Sequence, residues 1–376
     1  MKTFLGINNI ADETRLAEGE FTAATDVDIG SRGNLMSRRG RTRLLTGDDV
    51  HSVFHTPFGL LAVVDSDLVL TNEAGVIQRT VYQTLGYTRV WYAKLPDGRV
   101  AFSNGLIQGL CTATTTQLWG VPTPVDAGTG IDGDTLYQIT YVRDSDGLEG
   151  PPLYGNLIDT TQAIIGLPVL TGHSINVYFA PYGEEMFLAG TTSTDTYLHG
   201  GTPLITQFVG SGLSQPPAGR LITVWNSRVL IADGNVLWAT RPMQPEQIDL
   251  TQDFVQMPTP ITALYGTGDG LFVGTEDGMF YLSGIVFRDM KAQSVASGFV
   301  TLGSTVEIPL SYLNEKLRPQ NILQGALCSI DGAIHLIYGA GQIIGLTSSK
   351  YRAVTREVHA TVRIRDGVMQ YLAAPA

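Results

Sequence analysis

The sequence predicts an all-β protein built from repeated groups of four short strands, and three observations lead to this prediction. Short β-rich runs separated by turn residues recur along the chain, Asp-Gly pairs stand between many of them, and glycine is abundant, at 43 of 376 residues. Only 16% of the residues are charged, which excludes a coiled coil and a highly charged disordered chain. We therefore expect a turn-rich protein with a substantial apolar core.

The repeat is clearest from Val50 onwards, where VHSVFHTP, GLLAVVDS, DLVLTNEAG and VIQRTVY follow one another. Similar groups follow, beginning at Arg89, Arg220, Ile261, Gly325 and, as a half group, Val358. Where consecutive groups follow one another closely, their starts are about 40 residues apart, which is typical of a four-stranded propeller blade. Asp-Gly pairs suit tight hairpins because both central positions of a type I′ turn need positive φ.

The two ends of the chain predict closure of the ring. The last group has only two strands, VHATVRIRDG and VMQYLAA, and residues 24–30 and 34–45 offer two more. Pairing the N- and C-terminal strands would close one blade and remove an open sheet edge, which is otherwise an aggregation hazard. We predict a β-propeller of about six blades, with five and seven as alternatives.

A second module interrupts the repeat. After a Pro- and Gly-rich stretch, TLYQITYV and SINVYFAP read as strands of a different arrangement. We predict an inserted fibronectin-like β-sandwich at residues 130–212, with the propeller formed by residues 1–129 and 213–376. Residues 298–320 are expected to form a loop or an extra hairpin.

Composition limits the environment and the partners. The net charge of −11 argues against extensive nucleic-acid binding. Cys111 and Cys328 lie in apolar runs, which predicts buried thiols rather than a disulfide framework. The N-terminus lacks the apolar core of a signal peptide, and no apolar run approaches the ~20 residues of a membrane helix. We therefore expect a soluble protein made in a reducing compartment.

Several phrases resemble one family of proteins. They are Gly6–Asn9 (GINN), Ala24–Ile29 (ATDVDI), Gly33–Leu35 (GNL) and Arg38–Gly40 (RRG), followed by YQITYVRDSDGLEGPP at 137–152 and the predicted blade sequence at 232–264. Together these resemble the tail hub or nozzle β-propeller proteins of tailed bacteriophages. Asp26 departs from the pattern, because the family has Asn at that position.

The resemblance implies a structural role. Such proteins form homo-oligomeric rings at the tail hub or tail end, extend the DNA channel below the portal and adaptor, and anchor fibres or a needle. It therefore implies a virion protein, made in the host cytoplasm, that contacts other tail and connector proteins and lets DNA pass without specific binding. No enzymatic activity and no cofactor are expected.

The search for catalytic chemistry finds little. No zinc-protease, phosphate-loop or nucleophile-elbow motif occurs. The close pair His51 and His55 would lie ~13 Å apart on a strand, too far to share a metal, so no metal site is expected. A carbohydrate-binding or glycoside-cleaving propeller remains the alternative, because acidic residues are plentiful and the sequence cannot place two of them across a cleft. Four tryptophans in strand runs, at 91, 119, 225 and 238, are expected to pack between blades.

One run of basic residues is the candidate interaction site. Arg38, Arg39, Arg41 and Arg43, preceded by Arg32, occur without an intervening acid in an acidic chain. If 34–45 is a strand, Arg39, Arg41 and Arg43 share one face. Three interpretations stay open: a salt-bridged blade edge, docking to carboxylates of a partner ring, and contact with passing DNA.

Overall fold

The structure, a computed structural model, describes residues 6–24, 27–29, 35–37, 42–180, 185–201, 204–210, 213–313, 322–353, 355–365 and 368–376. In these ranges regular structure is almost entirely β-strand, which confirms the all-β prediction. The described helices are single 3-10 turns at Glu13–Arg15, Phe287–Asp289 and Leu310–Tyr312. None is long and apolar enough to cross a bilayer.

Five antiparallel sheets of four consecutive strands form the blades of the propeller. Blade one comprises Val50–Thr56, Gly59–Val64, Asp67–Thr71 and Ile77–Tyr82. Blade two comprises Trp91–Lys94, Val100–Ser103, Gln108–Cys111 and Thr116–Gln117. Blade three comprises Arg220–Trp225, Arg228–Asp233, Val236–Ala239 and Phe254–Gln256. Blade four comprises Ile261–Gly266, Gly270–Thr275, Gly278–Ser283 and Lys291–Ser297. Blade five comprises Val306–Pro309, Gln324–Ile330, Ala333–Tyr338 and Gln342–Gly345.

Apolar packing joins each blade to the next. The middle strands are buried on both faces, as in VAFS at Val100–Ser103 and GLFVGT at Gly270–Thr275. Four apolar clusters combine residues of two consecutive blades, represented by Leu70 with Phe102, Trp119 with Ile231, Leu237 with Val273, and Phe272 with Cys328. Sheets packed in this serial manner surround an axis, with the first strand of each blade innermost.

Both cysteines lie in these clusters. Cys111 and Cys328 are free and buried, which confirms the prediction of buried thiols. Burial disfavours the thiolate and raises the pKa of each to about 12. Neither thiol is therefore ionised near neutral pH.

Blade five corrects the predicted boundary at Gly325. Its first strand is Val306–Pro309, which pairs with Gln324–Ile330 inside the stretch that the sequence predicted as a loop or hairpin. The strand was missed because VEIP is short, ends in proline and is separated from its partner by a long connection. A four-strand group that begins at Gly325 would end with KYRAVTRE at 350–357, but this stretch is not a strand in the described residues. Lys350 and Arg352 there receive the N-terminal segment through Asn9.

Strands from both ends of the chain lie together. Val358–Arg365 pairs along its length with Val368–Pro375, and Val27–Ile29 pairs with Leu35–Ser37. Arg363 of the C-terminal hairpin donates to Asp28 of the N-terminal one at 2.9 Å. Among the described residues the two hairpins are separate two-stranded sheets, so the total of about six blades stays a prediction.

The inserted module has a core of its own. Thr135–Arg143, Leu153–Ile158, His173–Ala180 and Phe187–Thr192 form a four-stranded sheet, and Ile164–Ile165 pairs with Thr196–Tyr197 on the other side of the core. Tyr137 is fully buried there, and its hydroxyl donates to the carbonyl oxygens of Ala127 and Gly128. The domain boundaries at 130 and 212 stay a prediction.

The Asp-Gly pairs do not share one turn type. Asp331 and Gly332 have φ values of 48° and 77°, as a type I′ turn requires. Gly270 and Gly278 instead begin strands, where a Cβ would lie 2.4 and 2.5 Å from a carbonyl oxygen of the neighbouring strand. Glycine is needed there for close backbone approach rather than for positive φ. The pair Asp366-Gly367 lies outside the described residues.

Alanine substitutions at Gly332 and Gly98 distinguish the cost of positive φ from the cost of a steric clash. We expect Gly332→Ala to lower the free energy of unfolding by about 2–4 kcal/mol, because φ is positive and the new Cβ would lie 2.0 Å from the Ala353 carbonyl oxygen. At Gly98 φ is 87°, but an added Cβ would have no atom within 4 Å. Gly98→Ala should therefore lower the free energy of unfolding by only about 1 kcal/mol. Urea unfolding of both variants measures the difference, and equal losses would contradict the steric argument.

Candidate functional site

The predicted arginine site is only partly described. Arg38, Arg39 and Arg41 lie outside the described residues, as does Arg32. Arg43 is exposed, and its guanidinium donates to the carbonyl oxygens of Leu45, at 2.8 Å, and Gly47. Arg43 therefore braces its own loop, and the interface assigned to the four arginines stays a prediction.

The N-terminal phrase GINN has a structural task. Asn8 accepts from the backbone N–H groups of Ile10 and Ala11, which shapes the following turn. Asn9 exchanges hydrogen bonds with Arg352, donating from its side-chain amide to the carbonyl at 2.8 Å and accepting from the backbone N–H at 3.0 Å. The phrase thus fixes the N-terminal segment to the loop after blade five.

A buried ionic cluster fixes the sandwich to the propeller. Glu246, in the loop before the last strand of blade three, accepts from Arg143 at 2.6 Å and from Arg99 of blade two. Arg143 ends the first strand of the sandwich and also pairs with Asp146 at 2.7 Å. Glu246 and Arg143 are 7% and 4% exposed. Burial alone would lower the pKa of Arg143, but hydrogen bonds to Asp146 and Glu246 outweigh it and hold the pKa above its ordinary value.

Neighbouring contacts reinforce this junction. The Trp119 indole donates to the Pro245 carbonyl at 2.7 Å, next to Glu246. The backbone N–H of Gly120 also points at the Glu246 carboxylate, at 3.3 Å. Because ionic and hydrogen-bonding groups from blade two, blade three and the sandwich meet at one carboxylate, the module is held in a defined position.

A second buried carboxylate joins blades three and four. Asp253 is fully buried and accepts from Arg288 at 2.9 Å, with Arg228 and Arg241 at 3.7 and 3.5 Å. Arg288 belongs to the 3-10 turn that packs against blade three. The hydrogen bond to Asp253 raises the pKa of Arg288, whereas burial lowers that of Arg228. Asp249 adds a second carboxylate, 3.6 Å from both Arg241 and Arg288, so two acids balance three cations from two blades.

The tryptophans pack between blades, as the sequence predicts. Trp225 ends the first strand of blade three and donates to the Thr267 carbonyl of blade four at 2.7 Å. Trp119 packs among residues of blades two and three, with Trp91 and Trp238 at the border of the same cluster. The Arg89 guanidinium lies 3.9 Å over the ring of Trp91, so this ring face is covered.

Arg89 also lies where the first strands of the blades converge. It precedes the first strand of blade two and donates to the Val358 carbonyl at the start of the C-terminal hairpin, at 2.7 Å. Two cavities of about 590 and 200 Å³ meet at Arg89, Trp91 and Thr305. The larger is bordered by the first strands of blades one and two and by His359 of the hairpin, the smaller by the first strands of blades three and four.

A bulge shapes the wall of the larger cavity. The register of the first strand of blade one shifts between His51 and Phe54, and Ser52 has φ of 53°. The Ser52 hydroxyl oxygen accepts from the backbone N–H of Val90 at 2.9 Å and lies 2.7 Å from Nδ1 of His51. The bulge therefore ties blade one to blade two and turns His51 towards the axis.

Sequence reasoning missed Glu246, Arg143 and Arg89. Each is a single charged residue in an otherwise ordinary strand or loop, separated from its partners by 100 residues or more in most pairs. The only signal of these residues in the sequence is that a charged residue stands beside an apolar, strand-forming run. Among the described residues, no group of three or more His, Cys, Asp and Glu side chains could hold a metal ion.

Comparison with known proteins gives structural neighbours only. No family model and no curated protein matches the sequence. A streptogramin B lyase is similar at 10% identity and a TM-score of 0.33, over 82% of this chain and 86% of that one. The Cps50 (Swd1) β-propeller domain of Myceliophteria thermophila is similar at 11% identity and a TM-score of 0.31, over 87% and 96%. Similarity at this level says nothing about what this chain binds or does.

Proposed function

We propose that the chain is a structural subunit of a tailed-bacteriophage virion and forms part of the tail hub or nozzle. Copies would assemble into a ring below the portal and adaptor, after synthesis in the host cytoplasm, and would anchor fibres or a needle. The proposal rests on the resemblance of GINN, ATDVDI, GNL and RRG in the N-terminal region. The role is mechanical, so it requires no catalytic residue and no cofactor.

The observation that best supports a mechanical role is the attachment of the sandwich. A module with its own core is held on the propeller by the buried Glu246, Arg143 and Arg99 cluster. A rigid projection can transmit load between neighbouring subunits. In the segment that leads from the sandwich back to the propeller, Leu198, Ile205 and Val209 are 61%, 79% and 88% exposed. Such exposed apolar side chains suit contact with an adjoining protein.

The propeller axis does not suit a DNA path. Arg89 borders both central cavities and bonds to Val358, and the larger of these cavities has a volume of only about 590 Å³. In a hub, DNA would therefore pass through the lumen between copies. A net charge of −11 favours such a lumen, because each phosphate neutralised by Lys or Arg adds affinity and would slow passage.

Copy number in purified virions tests the proposal. Quantitative mass spectrometry against the portal protein should give a ring-like value, about three to twelve copies per particle, the range of small cyclic rings. Absence of the chain from particles would refute a virion role.

The arginine interface has its own test. Replacing Arg38, Arg39, Arg41 and Arg43 together by Ser should leave the far-ultraviolet circular dichroism spectrum unchanged and block incorporation into particles, because arginine forks paired with partner carboxylates would be lost. A control replaces Arg15, Arg352 and Arg356, which are exposed elsewhere, and should assemble normally. Normal particles from the fourfold variant would exclude these arginines as the docking site.

The alternative function is a carbohydrate-binding or glycoside-cleaving propeller. It requires an aromatic platform or two acids across a cleft. Of the tryptophans, Trp91 borders the axial cavities, and Arg89 covers one face of its ring. Binding on a glycan array, or turnover of a glycoside, by a chain absent from virions would favour this alternative.

A further inference from the structure

The larger axial cavity contains a cation whose hydrogen-bonding capacity is only partly used. Arg89 donates to the Val358 carbonyl at 2.7 Å, and the same nitrogen lies 3.5 Å from the Glu357 carboxylate. A guanidinium carries five N–H donors, and beyond these contacts Arg89 has no hydrogen-bond partner in the described part of the chain. The Glu357 side chain is 39% exposed, so its charge is partly screened by solvent.

Other donors line the same cavity. His359 borders it next to Arg89, and no hydrogen bond of its ring occurs in the described ranges. His51 uses Nδ1 towards Ser52, while its Nε2 has no hydrogen-bond partner and lies 3.9 Å from the Asp49 carboxylate. The Thr305 hydroxyl is buried without a partner as well. Buried polar groups without partners are uncommon in folded proteins and call for an explanation.

The charge of the wall is one-sided. Among the described residues that line this cavity there are an arginine and two histidines, and no Asp or Glu. Burial lowers the pKa of Arg89, and burial together with Arg89 lowers that of His359. Burial likewise lowers the pKa of His51. Glu357 and Asp49 offset this effect of burial only in part, so an anion inside the cavity would add a counter-charge that the residues lining it do not supply.

We propose that this cavity binds a small oxyanion, whose oxygens accept hydrogen bonds from the Arg89 guanidinium and the His359 ring. A volume of about 590 Å³ is within the range of small-molecule sites. Carboxylates and phosphates share the required chemistry, since both accept charge-assisted hydrogen bonds from arginine. The site lies on the propeller axis and is independent of the hub proposal.

Sulfate is the best probe, because its charge stays constant between pH 5.5 and 7.5. Isothermal titration calorimetry of the full chain should detect sulfate binding at pH 7.5 and binding at least about fivefold tighter at pH 5.5. The reason is that the anion raises the pKa values of His359 and His51, so binding takes up protons. The acids nearest to these groups are Asp49, whose carboxylate lies 3.9 Å from His51, and Glu357, whose carboxylate lies 3.5 Å from Arg89.

Two variants and a control locate the site. Arg89→Gln should weaken sulfate binding at least about tenfold, and His359→Gln should weaken it several-fold and reduce its pH dependence. Arg15→Gln removes an exposed positive charge elsewhere and should bind as the parent does. Parallel titrations with acetate and inorganic phosphate establish whether planar or tetrahedral oxyanions are preferred.

The proposal can fail in definite ways. No binding of sulfate, phosphate or acetate at pH 5.5 would overturn it. So would binding that Arg15→Gln weakens as much as His359→Gln does. If Arg89→Gln does not fold, the His359→Gln titration and the shift of the His359 ring signals of the parent protein on sulfate addition decide the matter, and unchanged signals would refute the site.

Discussion

Glu246→Gln is expected to lower the free energy of unfolding by about 3–5 kcal/mol, the largest effect of any single charge change that we expect. The substitution keeps the size of the side chain but removes the negative charge between Arg143 and Arg99. Arg143 is 4% exposed, so its charge would stay buried with only the exposed Asp146 as an ion-pair partner. Removing one partner of a buried ion pair typically has a cost of this size.

Urea unfolding followed by tryptophan fluorescence measures this effect, and Trp119 is a local reporter because its indole bonds beside Glu246. Glu276→Gln is the matched control, since Glu276 is exposed in blade four, and it should change stability by less than about 0.5 kcal/mol. A loss below about 1 kcal/mol for Glu246→Gln would mean that the junction does not depend on this carboxylate.

Asp253→Asn should lower the free energy of unfolding by about 3 kcal/mol. Asparagine fits the same space and its oxygen can still accept from Arg288 at the present 2.9 Å. The negative charge that balances Arg228 is lost, however, and Arg228 is largely buried, with 14% of its side chain exposed. The cost is a buried cation left with too little compensation.

The control for this variant is Asp269→Asn, at an exposed turn of blade four, with an expected change below about 0.5 kcal/mol. A second variant, Arg288→Met, removes the cation that bonds Asp253 most closely and should destabilise as well. If Asp253→Asn is as stable as the parent chain, the assignment of Asp253 as the central charge is wrong.

Both carboxylates bear on the proposed role. Glu246 ties the sandwich to blades two and three, and Asp253 ties blade three to blade four. A subunit that projects a module into a ring needs such fixed junctions. Loss of particle incorporation in Glu246→Gln, with the isolated chain still folded, would support the hub proposal, whereas normal incorporation would limit Glu246 to a role in stability.

The sequence by itself determined the local β structure. The strands that begin at Val50, Arg220 and Ile261 were located from the sequence alone. Their signals are alternating apolar and polar residues, strand-forming side chains and turn residues, which all act over a few positions. The two strands at 135 and 174 were located in the same way, as was the burial of both cysteines. These features depend on neighbouring residues, which a sequence displays directly.

The tertiary structure alone decided what meets at a distance. The Val306–Pro309 strand is recognised only through its partner beyond a long connection. Glu246 gains its role from Arg143, 103 positions away, and Arg89 from Val358, 269 positions away. Single charged residues carry no periodic signal in the sequence. Their contribution to stability depends on burial and on partners that folding brings together. The junction of the sandwich and the axial cavity therefore follow from the packing of the blades and not from any motif.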